Sequence, residues 1–446
     1  MTIAALEALT FGLGRLNEAA RNAGHRLCLL TGDRSVYRHE LARLAPGEVD
    51  IVDVDTTDEA ACAAALADLP DLRGLINSTD TWSVPGADLA AKLGLPGPDP
   101  NAVRLLRDKS RVRSLLHAHG LSRGRALAVA ADDECAAAEI LREIGLPAIL
   151  KDSAGTSSRN VWPVRDEEQL HTALAQAAGR SFNGRLFAEP YFSGPVYSAE
   201  TLSWEDDTKL LGVLSRQMSP EPSVREEAAA FPVGLPRPEH DLIEDWVGRV
   251  LKTAGHATGF AHVEFVLTTE GPELVEINRR IGGALVGEAL CRALGTNVYD
   301  AMVDTALGRR PALLDTAATP GPATGFVLVY PDRPGTLTGW TGLDGLSAFP
   351  GSPEWYPTAA PGQRMEHLSD QRGCTGIVLT EAATAELALH RALSAAGSIR
   401  PVVAADPLGL FEQLAQARAA LSDGFLLSAQ VGVQLGESLD VRRRRR

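Results

Sequence analysis

The chain has 446 residues and a formal net charge of −14, a length that suits two or three domains. The acidic balance argues against a general nucleic-acid or membrane-surface binder, because either needs a basic face. Five cysteines occur singly, without a CxxC pair, which favours a reducing cytoplasm over a disulfide framework or a zinc site. No stretch has the pattern of a leader or a membrane span, so we expect a cytoplasmic protein. The five arginines at 442–446 favour a solvated terminus over a nucleic-acid tail.

The first hundred residues alternate strand and helix patterns. Apolar strand patterns at 2–9, 25–33, 49–55 and 72–80 are separated by alanine-rich helical stretches. This alternation predicts a parallel α/β domain that ends near the turn-rich residues 94–100. The first connection contains Gly12 and Gly14, but Asn17 stands where a dinucleotide fingerprint needs its third glycine. A crevice for a small substrate is therefore favoured over a nicotinamide site.

A helix pattern with Asp108 and Lys109 near its start follows, and a strand then delivers Lys151 to a loop. The loop consists of small and hydroxylated residues, which are Gly155, Thr156, Ser157 and Ser158. Such a loop lets backbone amides approach phosphate oxygens, and a flanking lysine adds positive charge. An exposed hairpin with a surface lysine accounts for the same pattern, so the loop alone is ambiguous.

A second signal points to a nucleotide. Residues 186–201 place the carboxylate of Glu189 just before a Pro-Tyr bend at Tyr191. A strand that ends in such a bend suits a nucleobase hinge, in which backbone groups read the edge of adenine.

The most informative segment runs from His262 to Arg280 and consists of two strand patterns joined by the turn TTEGP. Alternation assigns one face to apolar side chains, namely Val263, Phe265, Leu267, Val275 and Ile277. It assigns the other face to polar side chains, namely His262, Glu264, Glu276 and Asn278. In this register Glu264 lies opposite Glu276, roughly 5 Å apart at Cβ, and like charges in that position cost stability. The pairing therefore needs a functional explanation.

In this order, the motifs resemble those of ATP-grasp enzymes, and within that superfamily the carboxylate–amine ligases of the L-amino-acid ligase type. The resemblance runs from about residue 1 to 400 and includes the E-x-N-x-R of Glu276, Asn278 and Arg280. It implies an α/β ATP-grasp fold with an N-terminal Rossmann-like pre-ATP-grasp domain, a small lid subdomain and a C-terminal α+β subdomain. The expected bounds are 1–105, 106–195 and 196–400, followed by a C-terminal helix and basic tail at 401–446.

The resemblance also assigns roles to residues. Glu264, Glu276 and Asn278 would hold Mg²⁺, two ions in all, against the phosphates of ATP, since hard cations prefer oxygen ligands. Lys109, Lys151 and the 155–158 loop would contact the phosphates. Glu189 would contact the adenine amino group, with Tyr191 at the hinge. Arg280 would grip the transferred phosphoryl group or the acyl phosphate.

Two assignments are less direct. His262 stands where related ligases place a cation or polar group beside the reacting phosphate, and a buried histidine satisfied by Asn278 is the alternative. Many relatives have a glutamate two residues after the hinge glycine, where this chain has Val196 after Gly194. Glu200 is the substitute we consider for binding ribose.

The implied reaction transfers a phosphoryl group from ATP to a small carboxylate, an amino acid or related acid. An amine then attacks to form an amide, with release of ADP and phosphate. We expect small-molecule substrates, bound partly by Asp80, Trp82 and the loops at 330–372, and a homodimer. Gly282 and Gly283 precede a helix and would either offer amides to an anionic group or only permit a tight turn.

Two other functions fit the same scaffold. A biotin-carboxylase-like, bicarbonate-activating enzyme would continue after the arginine with I-Q-V-E-H, where this chain reads IGGAL at 281–285. It would lack the glutamate base. A non-catalytic nucleotide-binding protein is the other alternative. The presence of both metal glutamates, Asn278, Arg280 and both lysines argues against it.

Overall fold

The computed structural model describes residues 1–404, apart from 206, 222 and 317–318. This part of the chain forms four β-sheets with helices packed around them. Within it, no helix is both long and apolar enough to cross a lipid bilayer.

The N-terminal sheet is fully parallel. Its strands are β1 (Thr2–Leu6), β2 (Arg26–Thr31), β3 (Asp50–Asp53) and β4 (Leu72–Ile76), in the order β3-β2-β1-β4. Its helices are α1 (Leu13–Asn22), α2 (Arg38–Leu41), α3 (Glu59–Ala67) and α4 (Ser83–Lys92). The expected parallel α/β pattern is confirmed. Because parallel strands end at one edge, Glu7, Thr56 and Asp80 all follow strand ends on the same side of this sheet.

A small antiparallel sheet follows helices α5 (Pro100–Arg107) and α6 (Lys109–Ala118). Its strands are β5 (Leu127–Ala128), β6 (Ala148–Asp152), β7 (Val161–Val164) and β8 (Leu186–Pro190), in the order β5-β8-β6-β7. Helices α7 (Ala136–Glu143) and α8 (Glu167–Ala178) flank it. Ile140, Leu150 and Leu170 form part of a core that this sheet shares with its two helices.

The largest sheet has eight strands. They are β9 (Val196–Trp204), β10 (Asp207–Met218), β11 (Glu226–Phe231), β12 (Thr258–Thr268), β13 (Gly271–Asn278), β14 (Ala323–Val329), β16 (Glu354–Pro357) and β18 (Gly376–Ala382). Their order is β13-β12-β9-β10-β11-β14-β18-β16. The flanking helices are α9 (Arg237–Thr253), α10 (Val286–Leu294), α11 (Tyr299–Ala306) and α12 (Ala385–Ala396). Trp246 of α9 packs on Val263 and Phe265, which buries one face of the sheet.

Helix α6 belongs with this large sheet and not with the small one. Val112 and Leu116 share a core with Val263 and Ile277. The boundary expected at 106 therefore places α6 in the wrong unit, because the packing of its apolar face decides which sheet it joins.

The last sheet is formed by β15 (Gly335–Thr341), β17 (Arg364–Met365) and β19 (Arg400–Ala404), in the order β17-β15-β19. Strand β19 crosses the boundary expected at 400, so residues 401–404 are extended and do not begin a helix. The rest of the expected C-terminal segment, with its basic tail, lies outside the described residues.

The hairpin of β12 and β13 has the predicted register at its active end, with His262 opposite Asn278 and Glu264 opposite Glu276. The register shifts between Glu264 and Phe265, and Phe265 pairs with Leu274. This β-bulge changes the predicted alternation. Leu274 is buried in the core, whereas Val275 is only partly buried and lines the central cavity. The assignment of Val275 to the core face is therefore wrong.

Candidate active site

A cavity of about 940 Å³ lies between the N-terminal sheet, the small sheet and the β12–β13 hairpin. Twelve of the predicted site residues line it, which are Lys109, Lys151, Gly155, Thr156, Ser157, Ser158, Glu189, Tyr191, His262, Glu264, Glu276 and Arg280. Glu200 and Asn278 do not line it. The structure thus brings together residues that are up to 171 positions apart in the sequence.

The two facing carboxylates each have a cation. Lys109 Nζ lies 2.7 Å from Glu276 Oε2, and the guanidinium of Arg216 forms an ion pair with Glu264. Asn278 Nδ2 donates to Glu276 Oε1 at 2.7 Å. Burial alone would raise the pKa of Glu264, but Arg216 and His262 hold it well below its usual range. The repulsion inferred from the sequence is therefore offset by protein cations.

His262 is held by carboxylates and not by Asn278. Its Nδ1 lies 2.6 Å from Glu200 Oε1, and its Nε2 lies 3.1 Å from Glu264 Oε1. Burial lowers the pKa of the imidazole, but these two carboxylates outweigh burial and raise it to about 9. His262 is accordingly a cation at neutral pH. The alternative in which Asn278 satisfies this histidine is wrong, because Asn278 bonds to Glu276.

Glu200 does not fit a ribose-binding role. Its residue surface is 1% exposed, and its Oε1 accepts from Ser198 Oγ at 2.8 Å as well as lying against His262. Strand β9 lies next to β12, with Glu200 opposite His262, so the carboxylate points to its neighbour in the sheet and away from the cavity. It orients the histidine.

Lys151 and Glu189 form a buried ion pair that the sequence did not indicate. Lys151 Nζ lies 2.5 Å from Glu189 Oε1, and Arg113 Nε lies 2.9 Å from Glu189 Oε2. Burial lowers the pKa of Lys151 despite this pairing. Burial would raise the pKa of Glu189, but the two cations lower it. One carboxylate therefore holds two cations beside the cavity, one of which is the predicted phosphate ligand.

The 155–158 loop is held by its flanking residues. Lys109 Nζ donates to Gly155 O at 2.6 Å, and the carboxylate of Asp152 accepts from the backbone nitrogens of Ala154 at 3.0 Å and Gly184 at 2.9 Å. Ser157 and Ser158 have positive φ values of 57° and 60°. Non-glycine residues in this region are strained, and such residues cluster at ligand sites.

Arg280 lies across the cavity against the N-terminal sheet. Its Nε lies 2.9 Å from Asp80 Oδ2, and its Nη2 contacts the same carboxylate oxygen. Burial would raise the pKa of Asp80, but Arg280 lowers it. Asp80 follows β4, and the ion pair ties the N-terminal sheet to the end of the β13 segment.

The remaining sequence candidates have structural explanations. A Cβ on Gly12 would lie 1.9 Å from Tyr299 Oη, and the amide of Gly14 donates to Glu40 at 3.0 Å. The helix terminus that a dinucleotide would need is therefore not free in this region. A Cβ on Gly282 would lie 2.7 Å from His262 Nδ1, so close packing requires this glycine. The guanidinium of Arg165 lies over the ring of the hinge residue Tyr191, with its central carbon 3.8 Å from the ring centre.

Sequence reasoning missed Arg216 and Arg113. Arg216 lies on β10 and reaches Glu264 and Glu226, and Arg113 lies on α6. The only sequence signal for Arg113 was its position near Lys109 on one helix. Arg216 had no sequence signal, because neither strand pairing nor sheet order can be inferred from a lone arginine.

The residues present fit both ATP and Mg²⁺. Glu264 and Glu276 offer carboxylate oxygens at the cavity wall, and Asn278 adds an amide beside them. Mg²⁺ prefers this donor chemistry and takes only one or two carboxylates when phosphates supply the rest. Lys109, Lys151 and the 155–158 loop would supply cationic and amide groups to phosphates, and the cavity volume is within the range of small-molecule sites.

Two protein-family models match parts of this chain. Residues 144–288 match the family model of the ATP-grasp domain, and residues 327–404 match that of the L-amino acid ligase C-terminal domain 2. Together the two matches cover half of the chain.

Relatives cover much of the chain at low identity. An uncharacterized protein of Sinorhizobium fredii is 26% identical over 84% of this chain and 78% of its own length. Human carnosine synthase 1 is 27% identical over 66% of this chain, which spans only 38% of that protein. The crystal structure of L-amino acid ligase from Bacillus licheniformis superposes with a TM-score of 0.75 at 20% identity, covering 91% of this chain and 99% of that one. The chain belongs to the ATP-grasp superfamily, among the carboxylate–amine ligases of the L-amino-acid ligase type.

Proposed function

We propose that this protein activates a small carboxylate, an amino acid or related acid, as an acyl phosphate and couples it to an amine, releasing ADP and phosphate. The observation that carries the proposal is that Lys109, Glu276 and Arg280 line the same cavity. Their side chains suit, in turn, a nucleotide phosphate, a metal ion and the group that receives the phosphoryl group.

The nucleotide end of the cavity is formed by the small sheet. Lys151 on β6 and the 155–158 loop would hold the phosphates, and the Glu189–Tyr191 hinge would hold the base. Glu189 keeps Lys151 in place through its 2.5 Å contact, so Glu189 positions a phosphate ligand whether or not it also contacts the adenine amino group.

Mg²⁺, two ions in this proposal, would be held by Glu264, Glu276 and Asn278 and would neutralise charge on the transferring phosphoryl group. Lys109 and Arg216 already balance these carboxylates. The flexible Lys109 side chain, which also contacts Gly155 O, would then turn toward a phosphate oxygen.

Arg280 would bind the acid substrate and the phosphoryl group passing to it. A carboxylate oxygen attacks the γ-phosphorus, the bond from phosphorus to ADP breaks, and an acyl phosphate forms. The amine then attacks the acyl carbon, a C–N bond forms, phosphate leaves, and the amine loses a proton. Asp80 fixes the guanidinium through two contacts to Oδ2, which suits a group that must already be in position.

The names of two relatives support amino-acid substrates. One solved neighbour is an L-amino acid ligase, and one sequence relative is a carnosine synthase. Acidic lining residues such as Glu226, Glu7 and Asp80 would also suit a substrate that carries an ammonium group.

The direct test is ADP release screened over a matrix of amino acids and small carboxylates, with mass spectrometry of the products. The proposal expects ADP release that depends on an acid and an amine together, with one amide product of matching mass. ADP release at the same rate whichever acid and amine are supplied would contradict the proposal. Amide formation that survives Glu276→Gln would also contradict it. The homodimer and the cytoplasmic location stay predictions.

A further inference from the structure

A second cavity, of about 270 Å³, lies between β4, α4 and the beginning of β12. Part of its wall is apolar, formed by Leu75, Ile76, Ala90, Pro98, Phe260 and Met302, and part is polar, including Asn77, Ser83 and Thr305. Two charged residues line it, Arg279 and Arg280, and within the described part of the chain no carboxylate does. The cavity thus has an apolar part and a positive side.

The two arginines differ in their partners. Arg280 lines both cavities and forms an ion pair with Asp80. Arg279 Nε donates to His256 Nδ1 at 3.2 Å, and Arg279 Nη2 donates to Thr258 O at 2.9 Å. In residues 1–404 as described, no carboxylate lies within ion-pair distance of Arg279.

His256 supplies no charge to this site. It is 4% exposed, and burial together with Arg279 lowers its pKa to about 3. Its Nε2 lies 3.2 Å from Gly259 O, which leaves Nδ1 as the acceptor for Arg279. The two contacts of Arg279 use two of the five N–H donors of a guanidinium, and Arg279 lines the cavity.

Arg279 is partly buried, and partial burial of a guanidinium without a counter-ion is unfavourable, because desolvation of the charge is not repaid. A bound anion would repay it. The walls restrict the kind of anion: phosphate would place polar oxygens against the apolar part of the wall, and an amino-acid zwitterion would bring an ammonium group to a cavity with no acidic lining residue among those the structure describes.

We propose that this second cavity is a binding site for a small aliphatic carboxylate, whose carboxylate group pairs with Arg279 and whose hydrocarbon part packs on the apolar walls. Its volume is slightly below that of sites for drug-sized ligands, which suits a short or branched chain. The site is separate from the proposed ligase reaction, although it shares Arg280 with the active site.

The test uses isovalerate as the probe and the full chain without ATP or metal, so that its outcome is independent of the ligase activity. Trp204 lines the cavity, so we expect tryptophan fluorescence to change on binding, and isothermal titration calorimetry measures the affinity directly. We expect saturable binding that Arg279→Met weakens by about 10- to 100-fold, because charge-assisted hydrogen bonds contribute about 1.5–3 kcal/mol. Arg249→Met is the matched control, since Arg249 is on α9 and pairs with the exposed Asp245, and it should bind like wild type.

A second variant, Ala87→Met, narrows the cavity without removing Arg279 and should also abolish binding. The neutral amide isovaleramide should bind at least about tenfold more weakly to the wild type, a comparison that requires no variant to fold. The proposal is overturned if isovalerate does not bind, if Arg279→Met binds it as tightly, or if isovaleramide or inorganic phosphate binds as well as isovalerate does.

Discussion

Lys109 Nζ lies 2.7 Å from Glu276 Oε2, so the first lysine of the predicted phosphate site is an ion-pair partner of a predicted metal ligand. The same ammonium donates to Gly155 O at 2.6 Å. One side chain therefore connects the hairpin, the phosphate loop and helix α6. Together with the pairing of Arg216 to Glu264, this contact explains how two carboxylates can face each other in the folded chain.

Glu276→Gln should abolish ADP formation and leave the fold intact. Loss of a metal carboxylate removes several kcal/mol of charge stabilisation, which corresponds to a fall of about a thousandfold or more. Because Glu276 is paired with Lys109, we expect the substitution to leave stability unchanged or to lower it slightly, not to raise it. ADP release and thermal unfolding measure the two effects.

The matched control is Glu270→Gln, on the turn of the same hairpin, whose side chain is 70% exposed. It should keep normal turnover. Normal turnover of Glu276→Gln would instead remove the basis for the metal assignment.

Lys151→Met should weaken ATP binding more than it slows the bound complex, if the lysine holds ground state and transition state alike. Arg113 remains beside Glu189 and keeps that carboxylate paired, so the fold should survive. Nucleotide titration and steady-state kinetics separate the two effects, with Lys92→Met as the control, since Lys92 pairs with Glu59 on the surface. A fall in kcat with unchanged nucleotide affinity would mean that Lys151 has another role.

Asp80→Asn should lower turnover and leave ATP affinity nearly unchanged. Asp80 contacts Arg280 through Nε at 2.9 Å and through Nη2, so its carboxylate positions the guanidinium. A misplaced catalytic group costs about a hundredfold. The prediction fails if Asp80→Asn weakens nucleotide binding as strongly as it slows turnover, because Asp80 would then be acting on the nucleotide side.

His256 should make the chain less stable in acid. In the folded chain its pKa is about 3, whereas an unfolded histidine titrates near pH 6.5. Above about pH 6.5 the histidine is neutral in both the folded and the unfolded chain, so it costs no stability. As pH falls from there towards about 3, only the unfolded chain binds the proton, and the free energy of unfolding decreases. One such histidine lowers the free energy of unfolding by about 2 kcal/mol between about pH 7 and about pH 5.

Urea unfolding of wild type and His256→Gln at the two pH values measures this contribution. The difference between their pH dependences should be close to that amount, while His240→Gln, at an exposed position of α9, should follow the wild type. An identical pH dependence in His256→Gln would show that the histidine is accessible to protons in the folded chain.

Local patterns predicted the hairpin well. Alternation and the TTEGP turn together set which residues face each other, and the pairing of His262 with Asn278 and of Glu264 with Glu276 is confirmed. The bulge after Glu264 was not predictable, because a one-residue register shift leaves no compositional signal in a strand. That shift moved Val275 to the cavity wall and placed Leu274 in the core.

Contacts between strands that are far apart in the sequence could not be predicted from it. Glu200 looked available for ribose, but β9 pairs with β12 and puts it opposite His262. Arg216 reaches Glu264 from a third strand of the same sheet. Such partners depend on strand order, which the alternation of a single strand does not contain. The like-charge pair was therefore correctly placed, while the cations that balance it were not foreseen.

The central claim is that a carboxylate is activated as an acyl phosphate, and transfer of an isotope from acid to phosphate tests it most directly. The protein is given Mg-ATP, an amine and an acid, selected by the ADP screen, whose carboxylate carries ¹⁸O. The account predicts ADP together with phosphate that contains one labelled oxygen, because the acyl oxygen leaves with the phosphoryl group. Arg280→Ala should suppress labelled phosphate and amide together. Formation of AMP and pyrophosphate, or of phosphate without the label, would contradict the account.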